Sequence, residues 1–341
     1  MNDKVILGIE TSCDETSAAV LKGDELLSNI ISSQIEIHRR FGGVVPEIAS
    51  RNHLTAILPV VDEALNAAGI TKRDIDAIAV TYGAGLVGAL LIGVSAAKAL
   101  AYALDVPLYA VNHIEAHIAA NYLADKDLKP PFLAVVASGG HTGIVRVDGL
   151  NKFALLGTTT DDAIGEAFDK VARTLGLPYP GGPEIDRLAK SGVANIEFIG
   201  KRKHKDYNLS YSGLKTAVVN YMHTAEQRGE KVKIEDVCAS FQTTAVDMLL
   251  ERAFMAARST GIKRLVLAGG VAANSCLREK LKVEGERLGL TVSYPPMSLC
   301  TDNAAMICAR ARGMIDEGMP TAGLNLNAVS YLKISDGGQV K

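Results

Sequence analysis

Apolar residues along this chain form short β-type runs and longer helical stretches that occur twice in the same order. The first series predicts strands at 4–9, 17–21 and 26–31, a helix at 51–68, a strand at 75–81, a helix at 86–104 and a strand at 106–111. The second predicts strands at 132–137, 143–147 and 152–156, a helix at 161–175, an irregular insertion, a helix at 234–259, a strand at 264–268, a helix at 272–288 and a helix beginning near residue 302. The chain therefore predicts an internal duplication.

A repeat on the scale of a domain indicates one class of α/β fold. Two such halves facing one another make the duplicated, two-lobe, RNase H-like architecture of actin, sugar kinases and heat-shock ATPases, with a central cleft. We expect an N-terminal lobe at 1–130 that is completed by about 303–341, and a C-terminal lobe at 131–302 with an insertion at about 178–233. In that architecture the turn after the first strand of each half binds phosphate. The fold positions the motifs but does not by itself give a function.

Composition narrows the setting in which the chain works. Its 341 residues carry a formal net charge of −2, so any contact with nucleic acid depends on local patches. The five cysteines are odd in number and contain no CxxC pair, which indicates a reducing cytoplasm rather than a disulfide framework or a zinc ribbon. No signal-peptide pattern is visible, and no apolar run approaches the length of a bilayer span. We therefore expect a cytoplasmic protein without a membrane partner.

Two histidines at helical spacing are the first candidate site. His113 and His117 follow a predicted strand and open a predicted helix, where a spacing of four places both imidazoles on one face. That spacing suits two ligands of one metal ion, although two unrelated polar residues would give the same pattern. Ile114 stands where a zinc protease has its glutamate base, and Glu115 lies about 200° around the helix from His113. The pair therefore predicts a metal clamp without the protease base.

A third metal ligand is available far along the chain. Asp302 precedes the last predicted helix, so it is either the N-cap of that helix or a ligand that joins the two histidines. Two nitrogens and one oxygen would suit iron or zinc, and the sequence does not choose between these metals.

Two turns are candidates for binding the phosphates of a nucleotide. The turn at 138–142 contains Gly139 and Gly140, which allow positive φ and bare N–H groups facing an anion; a plain hairpin turn is the alternative. The turn at 11–16 offers hydroxyls for phosphate and carboxylates for water or a divalent ion such as Mg²⁺, and could also be a solvated surface turn. Glu15 in this turn is our candidate catalytic residue, placed to orient a nucleophile.

Acidic and glycine-rich segments of the second half complete a candidate nucleotide site. An acidic stripe at positions 162, 166 and 169 of one predicted helix leads to a glycine-rich segment at 180–186, and we expect Asp169 and Asp186 to accept ribose hydroxyls. The junction at 267–274 passes through two adjacent glycines, where backbone can pack against adenine and Asn274 can contact the sugar or ring edge.

A basic loop in the insertion is a candidate contact for nucleic acid. Residues 200–205 are dense in lysine and arginine, and Tyr207, Tyr211 and Lys215 follow. Basic and aromatic side chains together suit a phosphate backbone with stacked bases, although a charge run is more often a solvated loop.

Together these motifs resemble the tRNA N6-adenosine threonylcarbamoyltransferase family, in its bacterial type, which formerly carried the label of sialoglycoprotein endopeptidase. The resemblance extends from residue 4 to about 310. It is carried by the segments 8–16, 42–47, 112–117, 138–141, 162–169, 179–183, 211–216, 268–274 and 301–303.

The resemblance implies a reaction, a site and partners. The threonylcarbamoyl group of threonylcarbamoyl-AMP, made by a separate enzyme, is transferred to N6 of adenosine 37 in tRNAs that read codons beginning with A, and AMP leaves. His113, His117 and Asp302 would hold one metal ion, iron or zinc. The donor would be bound by Val136, Ala137, Ser138, Gly139, Gly140, Asp169, Gly182, Asp186 and Asn274. The expected protein partners are a shorter paralogous subunit that lacks the metal site and a small ATPase subunit.

Other classes of function remain as alternatives. An actin-like ATPase or sugar kinase, or a nucleotide-binding scaffold, would explain the duplicated fold but would give His113 and His117 no purpose. A metalloprotease would explain the two histidines but would need a glutamate where Ile114 stands.

Overall fold

The computed structural model describes residues 3–200 and 206–334, and these form two compact units. Unit 1 contains the described residues up to Pro130, the segment Asp148–Phe153 and the described residues from Pro295 onward. Unit 2 contains Pro131–Val147 and the described residues from Ala154 to Tyr294. Part of the segment that joins two strands of unit 2 therefore belongs to unit 1.

The predicted helices and strands are present in the predicted order, with ends shifted by up to five residues. The first series is β1 Val5–Glu10, β2 Glu15–Lys22, β3 Glu25–Ser33, α1 Ile35–Arg39, α2 Pro46–Ala68, β4 Ala77–Gly83, α3 Val87–Leu104, β5 Leu108–Asn112 and α4 His113–Ala124. The second is β6 Phe132–Ala137, β7 Thr142–Gly149, β8 Lys152–Thr158, α5 Ile164–Thr174, α6 Gly181–Ala189, α7 Ser212–Gln227, α8 Ile234–Thr260, β9 Arg264–Ala268, α9 Ser275–Arg287, β10 Thr291–Ser293 and α10 Ala304–Asp316. Of these, α1, α6, α7 and β10 occur in addition to the predicted elements.

Each unit is built on a mixed sheet of five strands within the described part of the chain. The strand order is β3-β2-β1-β4-β5 in unit 1 and β10-β9-β6-β7-β8 in unit 2. In both sheets the central strand pairs antiparallel with the strand that follows it and parallel with a later strand, β4 in unit 1 and β9 in unit 2. The predicted duplicated α/β fold is confirmed.

Alternating side chains of β1 explain why the sheet of unit 1 is covered on both faces. Leu7 and Ile9 belong to a core that includes buried residues of α2 and α3. Ile6 points the other way, into a second core shared with Ala116 of α4 and Met306 of α10. Because no β1 side chain is exposed, the strand is a continuous buried run.

The insertion of unit 2 was predicted to be irregular, and that prediction was wrong. It contains α6 and the 16-residue α7. Asp161 starts α7, because its Oδ1 accepts hydrogen bonds from the backbone N–H groups of Tyr211 (2.8 Å) and Ser212 (3.2 Å). Asp161 lies about fifty residues before these two N–H groups, so the local sequence pattern could not reveal where α7 starts.

Two predicted helix starts also moved, for reasons of capping. The helix expected from 161 begins at Ile164, whose N–H is accepted by the hydroxyl of Thr142 at 2.8 Å. The helix expected from 272 is preceded by a 3₁₀ turn, Gly270–Ala273, and begins at Ser275 because the Asn274 side chain accepts the N–H of Leu277.

The apolar helix α3 meets the length of a membrane span, contrary to the expectation that no apolar run would do so. Val87–Leu104 has 18 residues and a mean hydropathy of 1.8, so by length and composition alone it could cross a membrane. In the structure, Val94, Ala97 and Ala101 of this helix are buried in the core against β4 and α2. Core helices of soluble proteins pass the same test of length and composition.

We predict that Gly269→Ala destabilises unit 2 by about 2 kcal/mol or more. Gly269 has φ of +91°, and a Cβ there would lie 2.6 Å from the carbonyl oxygen of Ala137 at the end of β6. The measurement is the urea midpoint of unfolding. Gly270→Ala is the matched control, because a Cβ there meets nothing within 4 Å and should change stability by less than about 1 kcal/mol. Equal midpoints for the two variants would contradict the assigned backbone constraint.

Candidate functional site

The two predicted metal-binding histidines lie side by side in unit 1. β5 ends at Asn112, whose side chain accepts the N–H of Ile114 at 2.9 Å and so starts α4 at His113. His113 and His117 are then one turn apart, with ring centroids separated by 4.6 Å. Both side chains are buried, which is unusual for polar groups without a partner or a bound ion.

Asp302 meets both imidazoles on the same side. Its Oδ1 lies 3.0 Å from Nε2 of His117 and 3.5 Å from Nε2 of His113. One ligand atom from each of the three residues falls within 4.8 Å of the other two. The alternative role as N-cap belongs instead to Asn303, whose side chain accepts the N–H of Met306. The structure therefore brings together the three predicted ligands from positions far apart in the chain.

A buried carboxylate behind His113 fixes the direction of that ring. Nδ1 of His113 lies 3.3 Å from Oε2 of Glu10 and 3.1 Å from the hydroxyl of Ser12, so Nε2 faces Asp302. Glu10 is itself held by the hydroxyl of Thr81 and the N–H of Ser12, each at 2.5 Å. A carboxylate on the outer nitrogen of a ligating histidine is the usual support of metal centres.

Sequence reasoning missed Glu10. The available signal was a carboxylate closing a strand that is otherwise apolar, since such a group requires a buried partner. The partner lies about a hundred residues away, so the pattern alone could not identify it.

Charge inside this cluster shifts two pKa values in opposite directions. Burial alone would lower the pKa of His113, but the carboxylates of Asp302 and Glu10 outweigh burial and raise it to about 9. Burial alone would raise the pKa of Glu10, but His113 outweighs it and lowers that pKa. Without a metal ion, His113 is therefore protonated at neutral pH and offsets one of the two negative charges of Asp302 and Glu10. A divalent cation held by both imidazoles and Asp302 would take over that positive charge, so the donor set fits a metal ion.

Glu15, our candidate catalytic residue, lies at the start of β2 and is half-buried. Its Oε1 accepts a hydrogen bond from the hydroxyl of Ser33 at 3.1 Å. Burial, Asp14 and Asp302 all raise the pKa of Glu15, to about 10. At neutral pH its carboxyl is therefore neutral and can donate a hydrogen bond. Its catalytic role stays a prediction.

The hydroxyls of the turn at 11–16 were expected to bind phosphate, but they are engaged within unit 1. Thr11 donates to the carbonyl of Ala89 at 3.0 Å, and Ser12 contacts His113. The Thr16 hydroxyl lies 2.7 Å from Nδ1 of His53. All three hydroxyl-bearing residues are buried. The hydroxyls of this turn are therefore engaged inside unit 1, and that of Ser12 contacts the candidate metal ligand His113.

The second predicted phosphate turn, in unit 2, is open. The N–H of Ser138 donates to the carbonyl of His141, which closes the turn, while Gly139 and Gly140 are exposed. A Cβ at either glycine would meet nothing within 4 Å. Neither glycine has positive φ, so the expectation that they supply that conformation was wrong. What they supply is uncovered backbone.

Neighbouring segments meet at this turn because two parallel strands end there. Val136 of β6 pairs with Ala268 of β9, so the turn after β6 and the glycines after β9 share one edge of the sheet. A Cβ on Gly165, in the first turn of α5, would lie 2.7 Å from the carbonyl oxygen of Ser138. The side chains of Val136 and Ala137 are buried, so only their backbone is available to a ligand.

The remaining predicted donor-binding side chains of unit 2 form hydrogen bonds to neighbouring helices. Asp169 accepts the N–H of Gly181 at 2.7 Å, which fixes the start of α6. Asp186 accepts the hydroxyl of Ser275 at 2.8 Å. Asn274 caps α9 and donates to Gln242 at 2.8 Å. Next to them, Gly182 faces open space. To contact a ribose, Asp169, Asp186 and Asn274 would have to use the lone pairs and N–H groups that these hydrogen bonds leave available.

Two of the three residues in the acidic stripe predicted beside this site, Asp162 and Glu166, are paired with lysines. Asp162 precedes α5 and accepts from Lys170 at 2.7 Å and from Lys215 at 2.8 Å. Lys170 also pairs with Glu166 at 2.7 Å. These contacts fasten α7 to the start of α5 rather than leaving a negative surface.

The predicted nucleic-acid loop receives little support from the described residues. Its basic residues 201–205 lie outside the part of the chain that the structure describes. Tyr211 is fully buried, so its expected stacking on a base is wrong. Lys215 is engaged with Asp162, and the Tyr207 hydroxyl contacts the hydroxyl of Ser259 at 2.5 Å.

Comparison with known proteins identifies a family and a fold. Residues 25–309 match the profile of the tRNA N6-adenosine threonylcarbamoyltransferases. The enzymes of that name from Clostridium perfringens strain SM101 and Clostridioides difficile strain 630 are each 54% identical over 339 residues, covering 98% of this chain and 100% of theirs.

Among solved structures, full-length HypF in a phosphate- and nucleotide-bound form matches with TM-score 0.62 and 17% identity over 92% of this chain. HypF from T. kodakarensis matches with TM-score 0.64 and 15% identity over 93%. The chain spans about half the length of either HypF (47% and 48%). At this level of identity the likeness supports the two-lobe fold alone.

We predict that metal affinity of the apo-protein rises with pH. His113 must lose a proton to bind, so below its pKa of about 9 the apparent affinity for Zn²⁺ should fall about tenfold for each pH unit. Competition with a chromophoric chelator between about pH 6.5 and 8.5 measures this slope. Exposed His223 provides the control, because His223→Ala should leave the slope unchanged. A pH-independent affinity would contradict the assigned protonation of the site.

Proposed function

This chain belongs to the tRNA N6-adenosine threonylcarbamoyltransferase family, and we propose on that basis how its own residues carry out the transfer. The threonylcarbamoyl group of threonylcarbamoyl-AMP passes to N6 of adenosine 37 in tRNAs that read codons beginning with A. The convergence of His113, His117 and Asp302 is the observation that carries the proposal, because it supplies a centre for acyl chemistry.

The reaction itself is an acyl transfer from a mixed anhydride. The N6 amine of adenosine attacks the carbamoyl carbon, the bond between that carbon and the phosphate oxygen breaks, and AMP leaves with the electron pair. The amine loses one proton in the process. An exocyclic adenine amine is a poor nucleophile, so the site must hold both reactants in an attacking geometry and offset the negative charge that develops on oxygen.

The metal centre is assigned to the threonylcarbamoyl end of the donor. His113, His117 and Asp302 would hold one divalent ion, iron or zinc, because two imidazole nitrogens and one carboxylate oxygen suit either metal. When bound, the ion would polarise and orient oxygens of the donor as a Lewis acid. Glu10 keeps Nε2 of His113 aimed at Asp302, so the ligands are preorganised.

Backbone of unit 2 is assigned to the adenylate end of the donor. The uncovered N–H groups around Gly139 and Gly140 would bind the phosphate, and the strand ends at Val136 and Ala137 would contribute backbone only. Asp169, Asp186 and Asn274 would contact the ribose or ring edge beside Gly182. Mg²⁺ would accompany a nucleotide in this region.

Glu15 is assigned a supporting catalytic role. In the metal-free site, burial, Asp14 and Asp302 raise its pKa to about 10, so the carboxyl is protonated at neutral pH and would orient a reactant by donating a hydrogen bond.

The partners that the family implies are a shorter paralogous subunit and a small ATPase subunit, in the cytoplasm. Docking surface is available on unit 1, where Leu54 and Leu58 of α2, and Val87 and Leu91 of α3, form exposed apolar pairs one helical turn apart. The two helices pack on each other, so both pairs could contribute to one apolar surface.

The position of Glu115 argues against a metalloprotease. Glu115 is the only glutamate close to His113 and His117 in the sequence. Glu115 is buried and bound to Arg310, so it cannot serve as base on a metal-bound water.

We predict that His113→Ala abolishes both metal binding and tRNA modification while the protein stays folded. Modification should fall by more than about 100-fold, since a metal ion contributes several kcal/mol to stabilising the developing charge. The assay is mass spectrometry of tRNA nucleosides after incubation with threonine, bicarbonate, ATP, the separate enzyme that makes threonylcarbamoyl-AMP, and the partner proteins. His223→Ala is the control and should modify tRNA at the wild-type rate. A normal rate with His113→Ala would remove the metal from the mechanism. ATP hydrolysis by this chain alone, together with no modified tRNA in the full mixture, would favour an actin-like ATPase.

We also predict that Gly140→Ala weakens AMP binding without destabilising the fold. The added methyl enters open space, so the unfolding midpoint should be unchanged, but it would cover the N–H groups assigned to phosphate. Loss of one charge-assisted hydrogen bond, about 1.5–3 kcal/mol, corresponds to a loss of affinity of roughly tenfold or more. Calorimetric titration with AMP measures it. Gly213→Ala, another open position, should bind AMP normally; equal affinities for the two variants would refute the phosphate assignment.

A further inference from the structure

Two helices of unit 1 carry the metal ligands, and their mutual position decides whether those ligands converge. α4 contains His113 and His117, whereas Asp302 lies two residues before the first residue of α10. A slide of one helix along the other by a single residue would move the ligands apart by about 1.5 Å. Metal affinity depends on ligand placement of that accuracy.

The apolar contact between these helices combines small and large side chains. Their shared core contains Ala116 and Ala120 of α4, and from α10 it contains Ala304, Ala305, Ala311 and the larger Met306, Ile307 and Met314. Apolar contacts are non-directional, so they fix the position of one helix along another less strictly than a hydrogen-bonded pair does. A directional interaction across the interface would specify one position.

One buried ion pair crosses this interface. Arg310 of α10 donates from Nε (2.9 Å) and from its terminal nitrogen (2.8 Å) to Oε2 of Glu115 on α4. Both side chains are 4% exposed. Glu115 stands midway between His113 and His117 in sequence, so the pair grips α4 at the turn that carries the ligands.

The guanidinium of Arg310 also contacts residues outside α4, so its position does not depend on Glu115 alone. Its second terminal nitrogen donates to Oδ1 of Asn151 at 2.5 Å, and Asn151 in turn donates to Glu317 at 2.7 Å. The ring of Phe153 lies beneath the guanidinium, 5.3 Å from its centre. Arg310 therefore cannot follow Glu115 if α4 slides.

The anchors at the start of α10 contact the sheet rather than α4. Ser17 and Asn29 accept the N–H groups of Ala304 and Ala305, at 2.9 Å and 3.3 Å. Because α4 is attached to the same sheet through Asn112, these contacts constrain the two helices only indirectly.

We propose that the Glu115–Arg310 pair is a positioning device that sets α4 against α10 and thereby aims His113 and His117 at Asp302. This inference rests on the proposed metal centre and adds residues to which neither the motifs nor the fold assigned a role. Glu115 and Arg310 touch no ligand atom, so they are positioning residues. A buried polar pair that specifies one arrangement of apolar surfaces is the best attested use of such pairs.

The test separates position from stability by replacing both charges at once. Glu115→Met with Arg310→Met removes the pair at similar volume, and buried ion pairs replaced in this way usually leave stability unchanged or improved. The readouts are the dissociation constant for Zn²⁺ alone, by competition with a chelator, and the urea midpoint of the apo-protein. We expect a wild-type midpoint or higher, with zinc affinity reduced roughly 10–100-fold, as for other residues that orient metal ligands.

A matched control is available in unit 2. Arg252 is 2% exposed and pairs with Glu251, so Arg252→Met also removes a buried guanidinium. It should lower the unfolding midpoint and leave zinc affinity within twofold of wild type. Equal loss of zinc affinity in this control, or zinc affinity within twofold of wild type in the double variant, would overturn the positioning role.

Two further variants keep every outcome decisive. If the double variant does not fold, Arg310→Lys keeps the charge but loses the two-pronged contact, and we expect at least fivefold weaker zinc binding; unchanged binding would overturn the proposal. His113→Ala reports on the metal centre separately. If wild type and His113→Ala bind zinc equally, the proposed centre fails and the positioning role fails with it. If only His113→Ala loses zinc and the double variant does not, the positioning role alone is rejected.

Discussion

The proposed chemistry depends on the meeting of two imidazole nitrogens and one carboxylate oxygen inside unit 1. Oδ1 of Asp302 lies 3.0 Å and 3.5 Å from the Nε2 atoms of His117 and His113, in surroundings that exclude most water. Burial of such polar groups is costly unless charge is balanced. In the apo-protein a proton supplies part of the balance, since His113 has a pKa of about 9 beside Asp302 and Glu10. A divalent cation would supply the remaining positive charge and Lewis acidity, and so would link the stability of the site to its chemistry.

The function proposed for this chain uses side chains of unit 1 and mainly backbone of unit 2. In unit 1 every element of the metal cluster is a specific side chain, supported by a second layer that includes Glu10 and Ser12. In unit 2 the turn after β6 offers uncovered backbone at Gly139 and Gly140, and Gly269 is required because a side chain there would strike Ala137. A metal ion needs donor atoms of a particular kind, whereas a phosphate can be held by N–H groups from any small residue. This difference is consistent with the metal acting on the acyl group and the backbone holding the leaving group.

Features written in local spacing could be predicted from the sequence, and features made by distant contacts could not. The duplicated α/β order and the helical spacing of His113 and His117 follow from periodicity. The roles of Glu10 and of the Thr16 hydroxyl were missed because their partners, His113 and His53, lie on helices far away in the sequence. Residues 212–227 were read as irregular since Asp161, which starts that helix, lies about fifty residues earlier. Tyr211 was taken for a base-stacking residue because its burial depends on packing that no motif records.

Anomalous diffraction from crystals of the metal-loaded protein is the most direct test of this account. Data collected at the absorption edges of zinc and iron locate the ion and identify the element. The account predicts one peak within bonding distance of Nε2 of His113, Nε2 of His117 and a carboxylate oxygen of Asp302, with Glu10 still on Nδ1 of His113. A peak bound elsewhere, or a cation held by the histidines with Asp302 turned away from it, would contradict the central claim.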